Sequence, residues 1–213
     1  MLFHAILTGF YSSNNEEREA AEQAITTFRN NEPNQYIVDL IGIISQEFEK
    51  LNESEKQLHY RVQHGAIILL RQYALSPNFF ESSVFSLNFL EQLWALLLLK
   101  MESTNEKTSQ LAAEFYGASL GSLITTGAYP QLIDSFLAIL QKAITDSAFE
   151  RARKLLLSLK SLLDSYSYEK MSRIVIVLFQ AIFQLLQIPQ ILNESMDCLV
   201  SFAHDLSIVF NNN

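Results

Sequence analysis

The sequence predicts an all-α fold, a right-handed superhelix (α-solenoid) of about five HEAT-type antiparallel helix pairs. Three observations predict it. Only six glycines and four prolines occur in 213 residues, which disfavours sandwiches and barrels because their tight turns depend on glycine. Apolar residues recur with helical spacing along most of the chain. Helix-start signals return at intervals near 45 residues, roughly the period of HEAT and armadillo repeats.

The helix starts carry a recognisable signature, a short polar residue followed three positions later by Glu. The two side chains of this capping box bond free amides of the first helical turn. The box occurs four times, and Asn193 marks a fifth start that lacks the Glu. The prolines interleave with these starts, at positions where a helix can begin or end. The boxes are Ser13 with Glu16, Asn52 with Glu55, Ser103 with Glu106 and Ser147 with Glu150, and the prolines are Pro33, Pro77, Pro130 and Pro189.

Each segment between these marks has the pattern of a helix with one buried face. In the third segment, for example, Ile37, Leu40, Ile41 and Ile44 follow the i, i+3, i+4, i+7 spacing. The alternative is an ordinary helical bundle whose helices are similar in length by chance. In chain order we expect helices at residues 2–11, 14–30, 34–50, 54–75, 83–101, 104–125, 130–145, 148–164, 168–187 and 193–210. They pair into repeats at roughly 1–31, 32–76, 77–127, 128–165 and 166–213 of a single domain.

The last predicted helix lacks a polar outer face, which a terminal repeat of a solenoid requires. Two interpretations remain open. Either this surface meets a partner, self-association through the C-terminal helices included, or the chain is the N-terminal part of a longer protein. The apolar residues around the helix are Leu199, Val200, Ala203, Leu206, Ile208, Val209 and Phe210.

Composition and charge exclude several classes of protein. With 49% hydrophobic and 18% charged residues the chain is not intrinsically disordered, and a net charge of −8 argues against nonspecific nucleic-acid binding. A single cysteine, Cys198, excludes an intramolecular disulfide and a cysteine-cluster zinc site. The apolar N-terminus has no basic region or cleavage site, so we expect a helix there and not a signal peptide. Glutamines interrupt the most apolar stretch, residues 174–188, so we expect no transmembrane span.

The charges are unevenly distributed. Residues 1–60 hold ten acids and four bases, a balance that attracts basic partners; alternatively, these acids only favour helix N-termini or form a solvated turn. Basic residues cluster at 151–160, where Glu150 lies four positions before Lys154. That spacing favours a partly compensated, solvated face over a contact with phosphates or an acidic loop.

No constellation of residues indicates catalysis or metal binding. The four histidines lack metal-ligand spacing, and the Glu55 and His59 pair has no second pair to complete a di-iron site. His204 beside Asp205 would need an oxyanion hole that a glycine-poor chain does not supply. We therefore expect no enzyme, no cofactor, no catalytic residue and no metal ligand.

Three segments carry the motifs of one known protein family. In residues 16–25, Arg18, Ala21, Glu22 and Ile25 resemble the first B helix of the importin-β (karyopherin-β) family of nuclear transport receptors. Residues 61–72 are similar to its second B helix, with Gly65 in place of an alanine. Residues 100–114 also resemble the members that import ribosomal proteins and histones. The resemblance covers about the first 140 residues, and its motifs are moderately specific because other helical repeats share alanine-rich B helices.

The resemblance implies a function in nucleocytoplasmic import of protein cargo. Members of the family bind the GTP form of the small GTPase Ran on their concave B-helix face, hold basic cargo farther along, and dock Phe-Gly nucleoporins on the convex side. They shuttle between cytoplasm and nucleus through the nuclear pore and are several times longer than this chain. An alternative is a HEAT scaffold for another complex, such as a phosphatase or kinase assembly; an enzyme or metal-binding helical bundle is the alternative from another class. The residues implied for Ran contact are Glu22, Gln63, Arg71 and Gln110.

Overall fold

The computed structural model describes residues 2–48, 50–74, 87–126, 131–165 and 175–211. Within these ranges it contains ten α-helices, one 3-10 turn and no strand. The helices are α1 (Leu2–Tyr11), α2 (Asn15–Asn31), α3 (Pro33–Ser45), α4 (Glu53–Ala74), α5 (Leu87–Lys100), α6 (Glu106–Thr126), α7 (Gln131–Thr145), α8 (Phe149–Ser165), α9 (Val175–Leu185) and α10 (Leu192–Asn211), and the 3-10 turn is Pro189–Ile191.

Consecutive helices pack in pairs, and each pair packs against the next. The even-numbered helices α4, α6, α8 and α10 each pack against the next in that series. A single apolar core runs through all five pairs, from Leu2 in α1 to Phe202 in α10. Because each pair buries its apolar face against its neighbours, the arrangement is that of a repeat protein. The predicted all-α solenoid is confirmed.

The first pair departs from this regular stacking, because α1 packs against α4 as well as against α2. The approach depends on Gly65 of α4: a Cβ there would lie 2.5 Å from Cγ2 of Ile6 and 3.3 Å from a ring carbon of Phe10. The glycine that replaces the alanine of the family pattern therefore makes room for α1.

Among the helices of the described residues, α6 and α8 have the most extensive contact. It depends on Gly117, where a Cβ would lie only 1.9 Å from the backbone oxygen of Ser158. A polar bond crosses the same junction, since the hydroxyl of Ser161 donates to the backbone oxygen of Glu114 at 2.9 Å. The helices approach so closely that no side chain fits between them at this point.

One of the four expected capping boxes forms as expected. The amide of Glu55 donates to Oδ1 of Asn52 at 3.0 Å, and the amide of Asn52 donates to the carboxylate of Glu55 at 3.1 Å. These reciprocal bonds satisfy free amides at the start of α4.

In two other predicted boxes, the capping residue is wrong by one or two positions. Asn14, not Ser13, caps α2 through a bond from the amide of Glu16 at 2.9 Å. Asn105, not Ser103, caps α6 by accepting the amide of Thr108 at 3.0 Å. In both places an asparagine closer to the helix competes with the serine for the same amides.

Ser147 is also not a helix start; it ends α7. Its φ is +56°, a left-handed conformation, and the amide of Ala148 donates to the carbonyl of Ala143 at 2.8 Å. Its own amide donates to the carbonyl of Ile144 at 2.9 Å. These two bonds form a Schellman motif that satisfies the last carbonyls of α7.

The remaining predicted boundaries are partly confirmed. Pro33 is the first residue of α3, and Pro189 opens the 3-10 turn, so both mark helix starts. Asn193 is not a cap, because α10 begins one residue before it. Pro77, Pro130, residues 83–86 of the expected fifth helix and residues 168–174 of the expected ninth lie outside the described residues.

Candidate protein-binding surface

Polar side chains occupy one face of α4 and one face of α6. On α4, Arg61, His64 and Arg71 follow helical spacing, and on α6 Lys107, Gln110 and Glu114 do the same. Because α4 and α6 pack side by side, the two sets form one surface. We call this surface the α4–α6 strip and define it by these six residues.

One end of the strip is an ion pair that joins the two helices. Nη1 of Arg71 lies 3.1 Å from Oε2 of Glu114, and Nε2 of Gln110 donates to Oε1 of the same carboxylate at 3.0 Å. Arg71 and Glu114 are half-buried and Gln110 is exposed. Two of the four residues implied for Ran contact, Arg71 and Gln110, are therefore brought together. The residue that joins them was not among the predicted site residues, although its place four positions after Gln110 is a signal that could have indicated it.

The other end of the strip borders a cleft of about 660 Å³ between α1, α4 and the start of α6. The Tyr11 hydroxyl and Nδ1 of His64 share a hydrogen bond of 2.9 Å, and the Arg61 guanidinium lies 5.7 Å from the centre of the Tyr11 ring. The second contact is within cation–π range. Burial lowers the pKa of His64 below 6.5, and the nearby ammonium of Lys107 lowers it further. The neutral form of His64 is therefore favoured.

The strip is basic on balance, unlike the acidic first 60 residues. It carries three cations and a single carboxylate, that of Glu114. Within the described part of the chain, Arg61 and Lys107 form no salt bridge. An exposed cation without a carboxylate partner of its own favours a partner that supplies one.

Gln63 does not contribute to this surface, in contrast to the implication of the resemblance. Its side chain is 1% exposed, and its Nε2 donates to the carbonyls of Ile44 at 2.8 Å and Gln46 at 2.9 Å. The Lys100 ammonium also donates to the Gln46 carbonyl, at 3.0 Å. These bonds satisfy carbonyls at the end of α3, which explains why that helix ends at Ser45 and not at residue 50 as predicted.

Glu22 lies apart from the strip. It is exposed on α2, which packs against α1 and α3. A Cβ on Gly9 of α1 would lie 3.9 Å from its Cγ. Glu22 thus belongs to the N-terminal end of the solenoid, and it is available to a partner there.

The basic residues of α8 have carboxylate partners, but not in the pairs expected. Lys154 bonds Glu106 of α6, and Glu150 bonds Arg153 instead of Lys154. Arg151 lies 3.2 Å from Glu102, and Arg153 also reaches Glu194 of α10 at 3.5 Å. The pairs therefore connect α8 to the repeats on both sides, which supports the expectation of a solvated, compensated face.

The described residues contain no group of three or more His, Cys, Asp or Glu side chains placed to hold a metal ion. Cys198 is buried, its Sγ lies 3.2 Å from the backbone oxygen of Leu156, and burial raises the pKa of its thiol to about 12. Such a thiol is protonated near neutral pH and packs as a small apolar residue. The side chains of His204 and Asp205 lie outside the described part of the structure.

No single helix in the described ranges has the length and apolar character needed to cross a membrane. Residues Ile176–Leu185 and Pro189–Ala203 satisfy that test only as a pair, and the pair is bent by 115°.

Comparison with known proteins shows the fold and leaves the family open. No protein-family model matches the sequence, and no curated protein matches it. A crystal structure of importin beta in an ammonium sulfate condition superposes with a TM-score of 0.68 at 16% identity, over 99% of this chain and 24% of that one. The chain thus spans about a quarter of the length of the importin beta chain it matches. At this identity the likeness establishes a HEAT-like α-solenoid fold.

Proposed function

We propose that this chain is a protein-binding scaffold of the nuclear-transport type, corresponding to the N-terminal region of an importin-β-like receptor. In this proposal it binds Ran in its GTP form, takes part in the import of basic protein cargo and meets Phe-Gly nucleoporins. Its location is then the cytoplasm, the nucleus and the nuclear pore between them.

One observation carries the proposal: nearly the whole chain superposes on importin beta, with the α4–α6 strip on two consecutive even-numbered helices. These helices correspond to the B helices to which the sequence resemblance assigns Ran contact. Arg71 and Gln110 meet there on one carboxylate. The position supports a partner surface rather than a structural ion pair alone, because the neighbouring cations Arg61 and Lys107 extend the strip without carboxylates of their own.

The two charge regions support different partners. The α4–α6 strip has more cations than carboxylates, so it is complementary to an acidic surface on the bound protein. Residues 1–60 carry the opposite balance, and their carboxylates attract a basic segment of the kind found in nuclear cargo.

Isothermal titration calorimetry tests the proposal directly. The chain is titrated with Ran loaded with a nonhydrolysable GTP analogue and, separately, with GDP. We expect binding to the GTP form at least tenfold tighter than to the GDP form. Replacing Arg71→Ala weakens binding to the GTP form by about tenfold, or about 1.4 kcal/mol, because the strip loses a cation and the support of Glu114.

Matched variants on two other helices serve as controls. Lys142→Ala removes an exposed cation of α7, and Glu91→Ala removes an exposed carboxylate of α5. Both controls should bind as the unmodified chain does. Equal binding to the two nucleotide forms, or no binding by a chain that is helical by circular dichroism, contradicts the proposal. That outcome favours the alternative of a HEAT scaffold for another assembly, such as a phosphatase or kinase complex.

A further inference from the structure

The cleft that borders one end of the α4–α6 strip has the size of a binding site. Its volume of about 660 Å³ falls within the roughly 300–1,000 Å³ of typical ligand sites. The end of α1, the first half of α4 and the first turn of α6 form its walls. We call it the α1–α4–α6 cleft. Its titratable and charged lining residues are Tyr11, Tyr60, Arg61, His64, Glu106 and Lys107.

Two cations of this cleft have no carboxylate of their own. Arg61 and Lys107 are exposed, and neither forms a salt bridge with another described residue. The carboxylate in the lining, that of Glu106, is bound to Lys154 of α8. The first turn of α6 adds the positive end of a helix dipole. The α1–α4–α6 cleft is therefore electropositive and open to an anion.

The side chains of the cleft are held in place before anything binds. The Tyr11 hydroxyl and Nδ1 of His64 share a hydrogen bond of 2.9 Å, which ties the end of α1 to α4. The guanidinium of Arg61 lies over the Tyr11 ring, 5.7 Å from its centre. The hydroxyls of Tyr60 and Thr104 share a hydrogen bond of 3.1 Å. Side chains that are already ordered lose less conformational entropy when a ligand binds.

Two neighbouring clefts of similar size differ in this respect, because their cations are bonded within the chain. In the cleft of about 590 Å³ beside the end of α3, the Lys100 ammonium donates to the Gln46 carbonyl at 3.0 Å. In the cleft of about 570 Å³ between α6 and α8, Arg151 lies 3.2 Å from Glu102. The cations of the α1–α4–α6 cleft are thus more available to a ligand than those of the other two.

The lining suits the carboxylates of a peptide better than a run of phosphates. A nucleic-acid backbone would pass the carboxylate of Glu106, and it would approach a chain with a net charge of −8, so it would be repelled. A peptide has separate carboxylates that can pair with the two cations. Its backbone groups can also bond the exposed amide of Gln57, which both donates and accepts.

We propose that the α1–α4–α6 cleft binds an acidic peptide segment of a protein partner, whose carboxylates pair with Arg61 and Lys107. The inference rests on the proposed function only in taking the α4–α6 strip as a partner surface. It goes beyond that function because it names the chemistry of the segment that is bound, and it does not require the partner to be Ran.

Fluorescence anisotropy with a labelled hexapeptide, Gly-Asp-Glu-Asp-Glu-Gly, measures the binding. The neutral peptide Gly-Asn-Gln-Asn-Gln-Gly has the same size and is the comparison. We expect the acidic peptide to bind at least about tenfold more tightly than the neutral one. Its affinity should fall as the salt concentration is raised from about 50 to about 500 mM, because salt screens exposed charges.

Two separate variants remove the cations from the cleft. Arg61→Ala and Lys107→Ala should each weaken binding of the acidic peptide by about fivefold, because each removes one charge that pairs with it. Both side chains are exposed and lie on different helices, so the far-ultraviolet circular dichroism should stay unchanged. Lys142→Ala is the matched control, since it removes an exposed cation of α7, and it should bind the peptide as the unmodified chain does.

Nuclear magnetic resonance of the His64 ring locates the bound peptide. A carboxylate near this ring favours its protonated form, so saturation with the acidic peptide should raise the midpoint of the His64 titration. The neutral peptide should leave that midpoint unchanged. A midpoint that the acidic peptide does not move would place the peptide elsewhere and overturn the inference.

Equal affinities for the two peptides, or binding that survives both alanine substitutions, also overturn the inference. So does an RNA hexanucleotide that binds more tightly than the acidic peptide, because the cleft then accepts polyanions in general. Binding of Ran in its GTP form without binding of the peptide overturns the inference and leaves the proposed function standing. Binding of the peptide without binding of Ran supports the inference and contradicts the assignment of Ran as the partner.

Discussion

The middle of the solenoid and its C-terminal pair differ in how their surfaces are completed. Between α3 and α8, polar bonds cross the junctions: Gln63 bonds the end of α3, Arg71 meets Glu114, and Lys154 bonds Glu106. At α9 and α10, apolar side chains remain exposed instead. The middle pairs thus combine apolar packing with specific polar bonds. The last pair is also joined to α8 by such a bond, between Arg153 and Glu194, but its outer surface is apolar. The two regions therefore differ in the chemistry of their surfaces, which is polar on α4 and α6 and apolar on α9 and α10.

The largest expected effect comes from closing the space between α6 and α8. Gly117→Ala places a Cβ 1.9 Å from the backbone oxygen of Ser158, so the helices must separate. We expect the free energy of unfolding to fall by about 3 kcal/mol, measured by urea denaturation with circular dichroism.

Gly42→Ala is the control for that substitution, because a Cβ at Gly42 of α3 meets no atom within 4 Å. It should stabilise the protein by about 0.5–1 kcal/mol, since alanine is the better helix former. If the Gly117→Ala and Gly42→Ala variants are equally stable, a Cβ at position 117 does not clash with the backbone of Ser158.

The next effect concerns the junction between α3 and α4. Gln63→Leu removes the amide that bonds the carbonyls of Ile44 and Gln46, and it should destabilise the fold by about 1–3 kcal/mol because buried acceptors lose a donor. The exposed Gln57 of the same helix provides the comparison: Gln57→Leu should change stability by no more than about 0.5 kcal/mol. Equal effects of the two substitutions would show that Gln63 has no special role at the end of α3.

The pH dependence of the α4–α6 junction is a smaller effect. Because the pKa of His64 is lowered from 6.5 in the folded chain, the unfolded chain binds more protons between the lowered pKa and 6.5. Protonation of His64 therefore lowers the free energy of unfolding as the pH falls through that window. Above the window His64 is neutral in both states and has no such effect.

Nuclear magnetic resonance titration of the His64 ring should give a midpoint below 6.5. In Lys107→Met the midpoint should move upward but stay below 6.5, because burial, the larger cause, remains. A midpoint that does not respond to Lys107→Met would contradict the proximity of Lys107 to His64.

The smallest expected effect is at the turn between α7 and α8. Ser147→Gly relieves a left-handed φ of +56° and should raise stability by about 0.5–1 kcal/mol. The same change at Ser45, which lies in the last turn of α3, should lower stability by a similar amount because glycine is a poor helix former. Thermal unfolding of both variants is the check, and stabilisation by both would argue against the Schellman motif.

Much of the fold could be predicted from the sequence, because helical periodicity and helix-start residues are local signals. All ten expected helices have counterparts in the described residues. The errors at Ser13, Ser103 and Ser147 arose where a serine stands near a competing asparagine or in a left-handed turn, and residue type alone does not distinguish these cases.

The site was less predictable, because it depends on contacts between repeats. Gln63 and Arg71 are both polar residues of α4, yet one is buried at the end of α3 and the other forms an ion pair with α6. The relative rotation and register of the packed helices determine which of the two side chains is buried and which forms the ion pair. Likewise, the packing of α1 on α4 follows from the space at Gly65, which the sequence shows only as an unusual glycine.

Hydrogen exchange measured by mass spectrometry, with and without Ran bound to a GTP analogue, tests the central claim most directly. The account predicts slower exchange in peptides of α4 and α6 upon binding, no change in α7, and a smaller effect in the Arg71→Ala variant. Protection confined to α9 and α10, or identical exchange with and without Ran, would contradict the assignment of the α4–α6 strip as the partner surface.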